Sequence, residues 1–373
     1  MTKAMVVLID GASAEYLTSS AAPNINRLAS QTAGFYQTVI AQLPSVTNVN
    51  HARILTGEFP DVNGINGNIF FDRASGEQTY IESPVYLNAP TIFTRLAQQH
   101  QTSALLTVKG KIDQVFGSDA TYRFNAEKPD AAQLAAIDAQ LPPDINSLAS
   151  GQWVFATAQR LIQATSPDFV YATTNDFVMH HFAPETPEAR QFIAGIDQTV
   201  AAIHALEPER TIFVTADHGM NAKPTLINLE RWLAERQLTV NVLLPLADRY
   251  LKNHQYQESG TAYIYCHDAA QTSDVQRVLT QLPGVEQVLT KTEAVQQYHL
   301  AADRIGDLVV LANQDTAFGL QPESILHGYQ GRSHGSRHEL TVPLFCLTNQ
   351  PVTPADYQTS RDIFTGLKAL LHF

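Results

Sequence analysis

The chain has 373 residues, 44% of them apolar, with 24 Lys and Arg against 36 Asp and Glu. The composition is ample for a packed core and excludes a disordered chain. A formal charge of -12 argues against a duplex nucleic-acid surface as partner, but not against a small anionic substrate, because bound metal ions invert the local field. No apolar run approaches the roughly 18 residues a membrane-spanning helix needs. Cys266 and Cys346 lie far apart in apolar runs, as core residues of a reduced compartment do. The chain enters its first strand with no leader pattern, so a cytoplasmic protein is expected, and neither nucleic acid nor membrane is expected as partner. A homodimer is compatible with the sequence, which does not determine the oligomeric state.

In chain order, a strand over 4–9 ends at Asp10. A carboxylate at the carboxyl end of a buried strand is costly unless something binds it, and that edge of an open α/β sheet is where ligands bind. A helix over 23–30 and a strand over 35–40 follow. Thr47, after Pro44-Ser45-Val46, reads as the N-cap of a short helix ending at Gly57. A helix start offers free N–H groups and a positive dipole end to a phosphoryl group, where an activated threonine hydroxyl is a nucleophile. Asn68, in Gly64-Ile65-Asn66-Gly67-Asn68, offers its amide to a phosphoryl oxygen. A helix over 90–100 leads to a strand over 103–108. Lys109 and Lys111 follow it; in an extended segment they point the same way and can clamp an anion.

Residues 113–150, rich in Ala, Asp, Gln and Pro, read as an inserted arm. In the helix 151–165, Val154, Ala158 and Leu161 fall at helical spacing. A strand over 168–174 ends near Asp176, and His180 stands four residues on, the spacing that brings two side chains to one helical face. Such a pair suits zinc or another borderline divalent metal. In the helix 187–205, Phe192, Ile196, Val200 and Ile203 form the apolar stripe. A strand over 211–216 ends at Asp217 and His218, and Gly219 permits the tight turn that lets both face inward. Residues 238–330 read as a small α+β cap with strands at 261–266 and 307–312 and a helix at 272–282. His334 lies in Gly331-Arg332-Ser333-His334-Gly335, before a strand over 342–348 and a helix over 359–371. The alternation predicts an α/β fold: a three-layer α/β/α sandwich with a largely parallel central sheet and a smaller cap. The expected organisation is core in 1–112, 151–237 and 331–373, arm in 113–150 and cap in 238–330. Singly, each acid or histidine is also an ordinary surface or loop residue; together, at matching strand edges, they predict one metal site.

The ensemble resembles the alkaline phosphatase superfamily, and within it the phosphonoacetate hydrolase branch. Val7-Leu8-Ile9-Asp10-Gly11, Pro44-Ser45-Val46-Thr47-Asn48-Val49-Asn50, Thr107-Val108-Lys109-Gly110-Lys111, Asp176 with His180, Asp217-His218-Gly219-Met220-Asn221-Ala222-Lys223 and Arg332-Ser333-His334-Gly335 carry it. The resemblance implies two zinc ions, in a ligand set that also accepts manganese, iron or cobalt. One would be held by Asp176, His180 and His334, the other by Asp10, Asp217, His218 and the Thr47 oxygen. It implies Asn68 on the phosphoryl group and Lys109 and Lys111 on a substrate carboxylate. The implied activity is hydrolysis of the C–P bond of phosphonoacetate to acetate and phosphate through a phosphothreonine. Val49, His51 and Asn63 depart from the family pattern. The alternatives are a nucleotide pyrophosphatase/phosphodiesterase or phosphomonoesterase of the same superfamily, or a non-catalytic metal- or anion-binding protein. Asn48, where the diesterases usually carry an aromatic residue, argues against the diesterases.

Overall fold

The computed structural model describes residues 2–31 and 33–373. A seven-stranded sheet runs in the order Phe35–Ile40, Thr341–Leu347, Thr211–Thr215, Ala4–Leu8, Phe169–Thr173, Ser103–Thr107, Tyr122–Asn125. Every pair is parallel except the two made by Thr341–Leu347, which is antiparallel to both neighbours. The four inner parallel strands are buried at every residue, so their sequences are continuous apolar runs without alternation. The register sets Leu8 level with Thr173 and Thr215, and Thr107 level with Thr173. The residues that follow these positions therefore emerge along one edge of the sheet.

Helices pack in two groups around this sheet. Pro23–Ala29, Leu148–Thr165 and Pro187–Leu206 form one; Thr47–Thr56, Ile92–Gln98, Gly110–Phe116 and Asp362–Leu371 form the other. A second apolar core lies in a four-stranded antiparallel sheet, Val240–Leu243, Thr261–Cys266, Leu308–Ala312 and Val285–Thr290, covered by Thr272–Thr280 and Lys291–Tyr298. Thr225–Ile227, which precedes the expected cap boundary at 238, pairs with Thr316–Phe318 and Ile325–His327. Among the described residues no helix is long and apolar enough to cross a membrane.

The expectation of an arm over 113–150 needs correction. Residue 113 lies inside the helix Gly110–Phe116, and Tyr122–Asn125 is the edge strand of the main sheet, parallel to Ser103–Thr107. Only Phe124 and Asn125 of that strand are buried, so its four residues carry almost no period-two signal.

Asp197, buried in the helix Pro187–Leu206, shows how the layers are joined. Its carboxylate accepts from the Asn24 N–H (3.1 Å), Asn24 Nδ2 (2.7 Å) and the Ile25 N–H (2.7 Å). It thus caps the positive end of Pro23–Ala29, whose own N-cap Ala22 has no side chain for the task. Asp197→Ala is expected to lower stability by about 2–3 kcal/mol, because N–H groups lose a charged acceptor. Asp197→Asn, which keeps one acceptor oxygen, should lose less. Urea denaturation midpoints of the two variants decide it.

Candidate active site

Four chain segments deliver acids and histidines to the carboxyl edge of the sheet. After Ala4–Leu8 the chain reaches Asp10 and turns at Gly11, whose φ is +76°; a Cβ there would lie 3.2 Å from Met179 Cβ. The Gly11 N–H donates to Asp217 Oδ1 at 3.1 Å, locking two strand ends together. Asp176 precedes the short helix Phe177–His181, which brings His180 Nε2 to 3.5 Å from Asp176 Oδ2. Asp217 and His218 follow Thr211–Thr215; His218 Nε2 lies 3.3 Å from Asp217 Oδ2 and 3.4 Å from Asp10 Oδ1. His334 follows the two-residue strand Arg332–Ser333, its ring stacked 3.6 Å from that of His218 and its Nε2 3.8 Å from Asp176 Oδ2.

Two overlapping triads result: Asp10, Asp217 and His218, and Asp176, His218 and His334. Within each, the ligand atoms lie within 4.8 Å of one another. His218 belongs to both, and His180 stands beside Asp176 at the rim of the second. All three imidazoles are oriented from behind. Nδ1 of His180 donates to the Arg332 carbonyl (2.8 Å), that of His334 to the Ser45 carbonyl (2.7 Å) and that of His218 to the Gly219 carbonyl (3.0 Å). A carbonyl only accepts, so each Nδ1 carries the proton and each Nε2 lone pair is left for the cluster. Among the described residues, His180 Nε2, His218 Nε2 and Asp217 Oδ2 are buried without a hydrogen-bond partner. Lone pairs facing carboxylates across a dry space call for cations, and imidazole nitrogen with carboxylate oxygen suits zinc or a similar divalent ion.

The electrostatics agree. Burial, reinforced by Asp176 and Asp217, raises the Asp10 carboxyl well above the carboxylate range, and burial pushes Asp217 up to about 6. Against the burial that would raise it, Lys109 and His180 hold Asp176 well below that range. Lys109, itself kept protonated against burial by Asp10 and Asp176, lies 2.8 Å from Asp10 Oδ2 and 2.8 Å from Asp176 Oδ2. Burial and the neighbouring histidines push His334 well below the usual imidazole range, leaving it neutral, as a ligand must be.

Thr47 opens the helix Thr47–Thr56, but as its first helical residue rather than its cap. Val46 is the N-cap, without a side-chain bond, and Gly57 closes the helix at φ +72° as the sequence suggests. The Thr47 hydroxyl is therefore free of capping and accepts from Lys109 Nζ at 3.3 Å. Asn68 holds this helix start: its Oδ1 accepts from the Asn48 N–H (3.0 Å) and its Nδ2 donates to the Leu246 carbonyl (2.8 Å), so one amide hydrogen is engaged within the protein. Lys109 and Lys111 do not lie on an extended segment. Lys109 is the N-cap of Gly110–Phe116 and Lys111 sits in its first turn. They still converge, because both ammonium groups face the ring of Tyr250, at 5.8 Å and 5.5 Å from its centroid.

Tyr250 belongs to a group that sequence reasoning missed. Asp248 Oδ2 lies 2.5 Å from Lys111 Nζ, His254 Nε2 lies 3.0 Å from Asp248 Oδ1, and Asn253 Nδ2 donates to Asp176 Oδ1 at 2.7 Å. All come from the loop between the cap strands Val240–Leu243 and Thr261–Cys266, where no motif marks them; the crowding of Asp, Arg, Tyr, Lys, Asn and His over 248–254 is the one available signal. His51 lies apart from the cluster's ligands, its Nδ1 bonded to the Tyr171 hydroxyl at 2.8 Å beneath the sheet edge. His181 is exposed, and His338 pairs with Glu286 at 2.8 Å.

The model of the type I phosphodiesterase/nucleotide pyrophosphatase family matches residues 4–337. The chain belongs to this family. It is a hydrolase of the alkaline phosphatase superfamily, whose members are metal-dependent, and its Asp/His clusters could hold metal. The crystal structures of phosphonoacetate hydrolase from Sinorhizobium meliloti 1021 in complex with phosphonoformate and with phosphonoacetate are similar over 99% of this chain and 96% of theirs, with TM-score 0.87 and 28% identity. Murine ectonucleotide pyrophosphatase/phosphodiesterase 5 shares the fold at 19% identity and TM-score 0.72, over 100% of this chain and 96% of the other. An uncharacterised pyrophosphatase/phosphodiesterase of Schizosaccharomyces pombe is 27% identical over 244 residues, 61% of this chain; the match spans 46% of that relative's length.

A proton on Asp217 competes with a metal ion. Since burial pushes its carboxyl up to about 6, and raises that of Asp10 as well, metal affinity should weaken as the pH falls through and below that value. Protein loaded with zinc near neutrality and dialysed stepwise to about pH 5 is expected to release metal in that interval. A metal affinity, measured by chelator competition, that does not change across that interval would show that Asp217 is not a ligand.

Proposed function

We propose that the protein is a zinc-dependent phosphonoacetate hydrolase, cleaving the C–P bond to give acetate and phosphate through a phosphothreonine at Thr47. The observation that carries this reading is a buried ammonium, Lys109, bonded to the Thr47 hydroxyl beside the acid–histidine cluster, with a second buried ammonium, Lys111, facing the same tyrosine ring. Asp176, His180 and His334 would hold one ion, and Asp10, Asp217, His218 and the Thr47 oxygen the second. Bound there, divalent ions supply Lewis-acid charge at phosphorus and lower the pKa of a hydroxyl or water.

The chain's own residues supply the rest. Thr47 Oγ1, hydrogen-bonded to Lys109, attacks phosphorus as its proton passes to water, forming a P–O bond while the C–P bond breaks. The electron pair of that bond passes to the methylene carbon and spreads into the adjacent carboxylate as an enediolate. Lys109 and Lys111 would stabilise that charge as it develops, and the carbon then takes a proton to give acetate. Water cleaves the phosphothreonine, so one water is consumed and one phosphate released. Asn68, oriented by Leu246 and Asn48, would turn its second amide hydrogen to a phosphoryl oxygen. The partner is thus a small anionic phosphonate. The similarity to phosphonoacetate hydrolase across nearly the whole chain supports this reading.

The family match favours a second reading, a nucleotide pyrophosphatase/phosphodiesterase. Against it, Asn48 beside the nucleophile is fully buried, its Nδ2 committed to the Ile81 carbonyl at 3.0 Å, and offers no face on which a base can stack.

Thr47→Ala is expected to abolish turnover while the folded protein keeps most of its metal, close to two equivalents by elemental analysis; near-normal activity would point to another nucleophile, such as Ser45. Replacing Lys109 and Lys111 together with Ala should cut kcat and kcat/KM on phosphonoacetate by about 100-fold or more, the scale of losing preorganised charge at a developing anion. Because Lys109 also bonds Thr47 and pairs with Asp10 and Asp176, the control is Lys111→Ala alone, which should lose phosphonoacetate hydrolysis but cleave an aryl phosphate, which has no carboxylate, at close to the parental rate. Equal losses on the two substrates would remove Lys111 from the leaving-group role.

A further inference from the structure

Lys111 is already paired before any substrate arrives. The Asp248 carboxylate, 2.5 Å from Lys111 Nζ, is no chance neighbour. Its Oδ1 accepts from the Tyr250 N–H at 2.9 Å and lies 3.0 Å from His254 Nε2. The Asp248 backbone is clamped on both sides by Gln257, whose Oε1 accepts from the Asp248 N–H (2.9 Å) and whose Nε2 donates to its carbonyl (2.8 Å). Asp248 is 2% exposed. Against the burial that would raise it, Lys111 and His254 hold its carboxyl far below the usual range, so it stays charged. The roof above the lysines is equally fixed: the Tyr250 hydroxyl donates to Glu127 Oε1 (2.5 Å), and Arg249 ties Glu82 (2.6 Å) to Glu127 (2.5 Å). Glu127 in turn accepts from the Gly110 N–H, between the two lysines (2.8 Å).

A subsite with two lysines would attract a doubly charged leaving group. Lys109 faces Asp10 and Asp176, the acids that would hold the metal ions, whereas the charge of Lys111 is cancelled by Asp248, a carboxylate outside that ligand set that cannot swing away. We infer that Asp248 is a specificity-determining residue: by neutralising Lys111 it reserves the subsite for a leaving group with one carboxylate and disfavours a second negative charge. The inference rests on the reading of Lys109 and Lys111 as the carboxylate subsite. Its physical basis is that an extra anion beside a fixed, desolvated carboxylate meets like-charge repulsion, whereas a single carboxylate is matched by Lys109. Asp248 acts through Lys111, whose N–H groups still reach the substrate. The cap thereby filters substrates that the core alone would admit.

The test compares three ligands by calorimetry on the zinc-loaded protein, so it needs no C–P cleavage. Phosphonoacetate carries one carboxylate, 2-phosphonopropionate adds an uncharged methyl at the carbon that bears phosphorus, and 2-phosphonosuccinate extends that methyl by a second carboxylate. In the parent, phosphonosuccinate is expected to bind at least about tenfold more weakly than phosphonopropionate, the pattern of charge rejection. Asp248→Asn keeps the size and an acceptor oxygen for the Tyr250 N–H but removes the charge. That variant should close or reverse the gap while leaving the ratio of phosphonopropionate to phosphonoacetate unchanged. Equal binding of phosphonosuccinate and phosphonopropionate by the parent would overturn the inference even if the variant does not fold. So would an unchanged gap in a folded Asp248→Asn protein, or a parallel shift of both ratios, which is the mark of altered shape. Phosphonoacetate that binds the parent tightly but yields no acetate would defeat the proposed reaction instead, leaving the charge comparison standing.

Discussion

The structure is governed by one electrostatic constraint: three carboxylates, Asp10, Asp176 and Asp217, share a dry space at the end of the sheet. Each is at most 2% exposed. Several kcal/mol attend the burial of each uncompensated charge, so the arrangement persists only with positive charge close by. Lys109 supplies part of it, within 2.8 Å of two of the three, and metal ions suit the remainder. The parallel register aligns the strand ends, Gly11 lets the chain turn beneath them, and three backbone carbonyls aim the imidazoles.

That cluster is held by a buried polar scaffold that no single loop could form. Ser45 Oγ donates to the Ser336 carbonyl (2.6 Å) and accepts from the Gly335 N–H (3.1 Å), while the Ser45 carbonyl receives His334 Nδ1. The nucleophile loop and the His334 loop are thereby one body. Glu339, fully buried, accepts from Lys223 Nζ (2.8 Å), Asn221 Nδ2 (2.7 Å), and the Ser336 N–H and hydroxyl (2.9 and 2.6 Å). Its carbonyl takes the Gly219 N–H at 2.8 Å. The turn bearing Asp217 and His218 is thus fastened to the same body. Satisfied networks of this kind rigidify a site, because every alternative geometry strands a buried charge.

The cap changes the character of the site without supplying the ligands that the sequence suggests. Through Asp248, Tyr250, Asn253 and His254 it reaches the lysine pair and Asp176, and through Arg249 it grips Glu82 and Glu127 of the core. The core carries the acid–histidine cluster, and the cap brings Asp248 to Lys111.

Much of the fold and of the candidate site was legible in the chain itself. Strands such as 103–107 and 211–215 are buried on both faces, and such strands announce themselves as apolar runs. Asp10, Asp176 and Asp217 stand out because a charged residue directly after such a run is chemically out of place. Thr47, Lys109 and Lys111 are found by their position at the same edge. What depends on distant pairing was hidden. Tyr122–Asn125 is too short and too exposed to signal a strand, and Thr47 is a first helical residue rather than a cap, after a loop that Ser45 ties to the His334 segment. The approach of His218 to Asp10, the ammonium of Lys109 between Asp10 and Asp176 and the capture of Lys111 by Asp248 join residues 67 to 208 positions apart. Local sequence records the cost of a buried charge at the place where it sits, but not the partner that offsets it, because that partner arrives through space rather than along the chain.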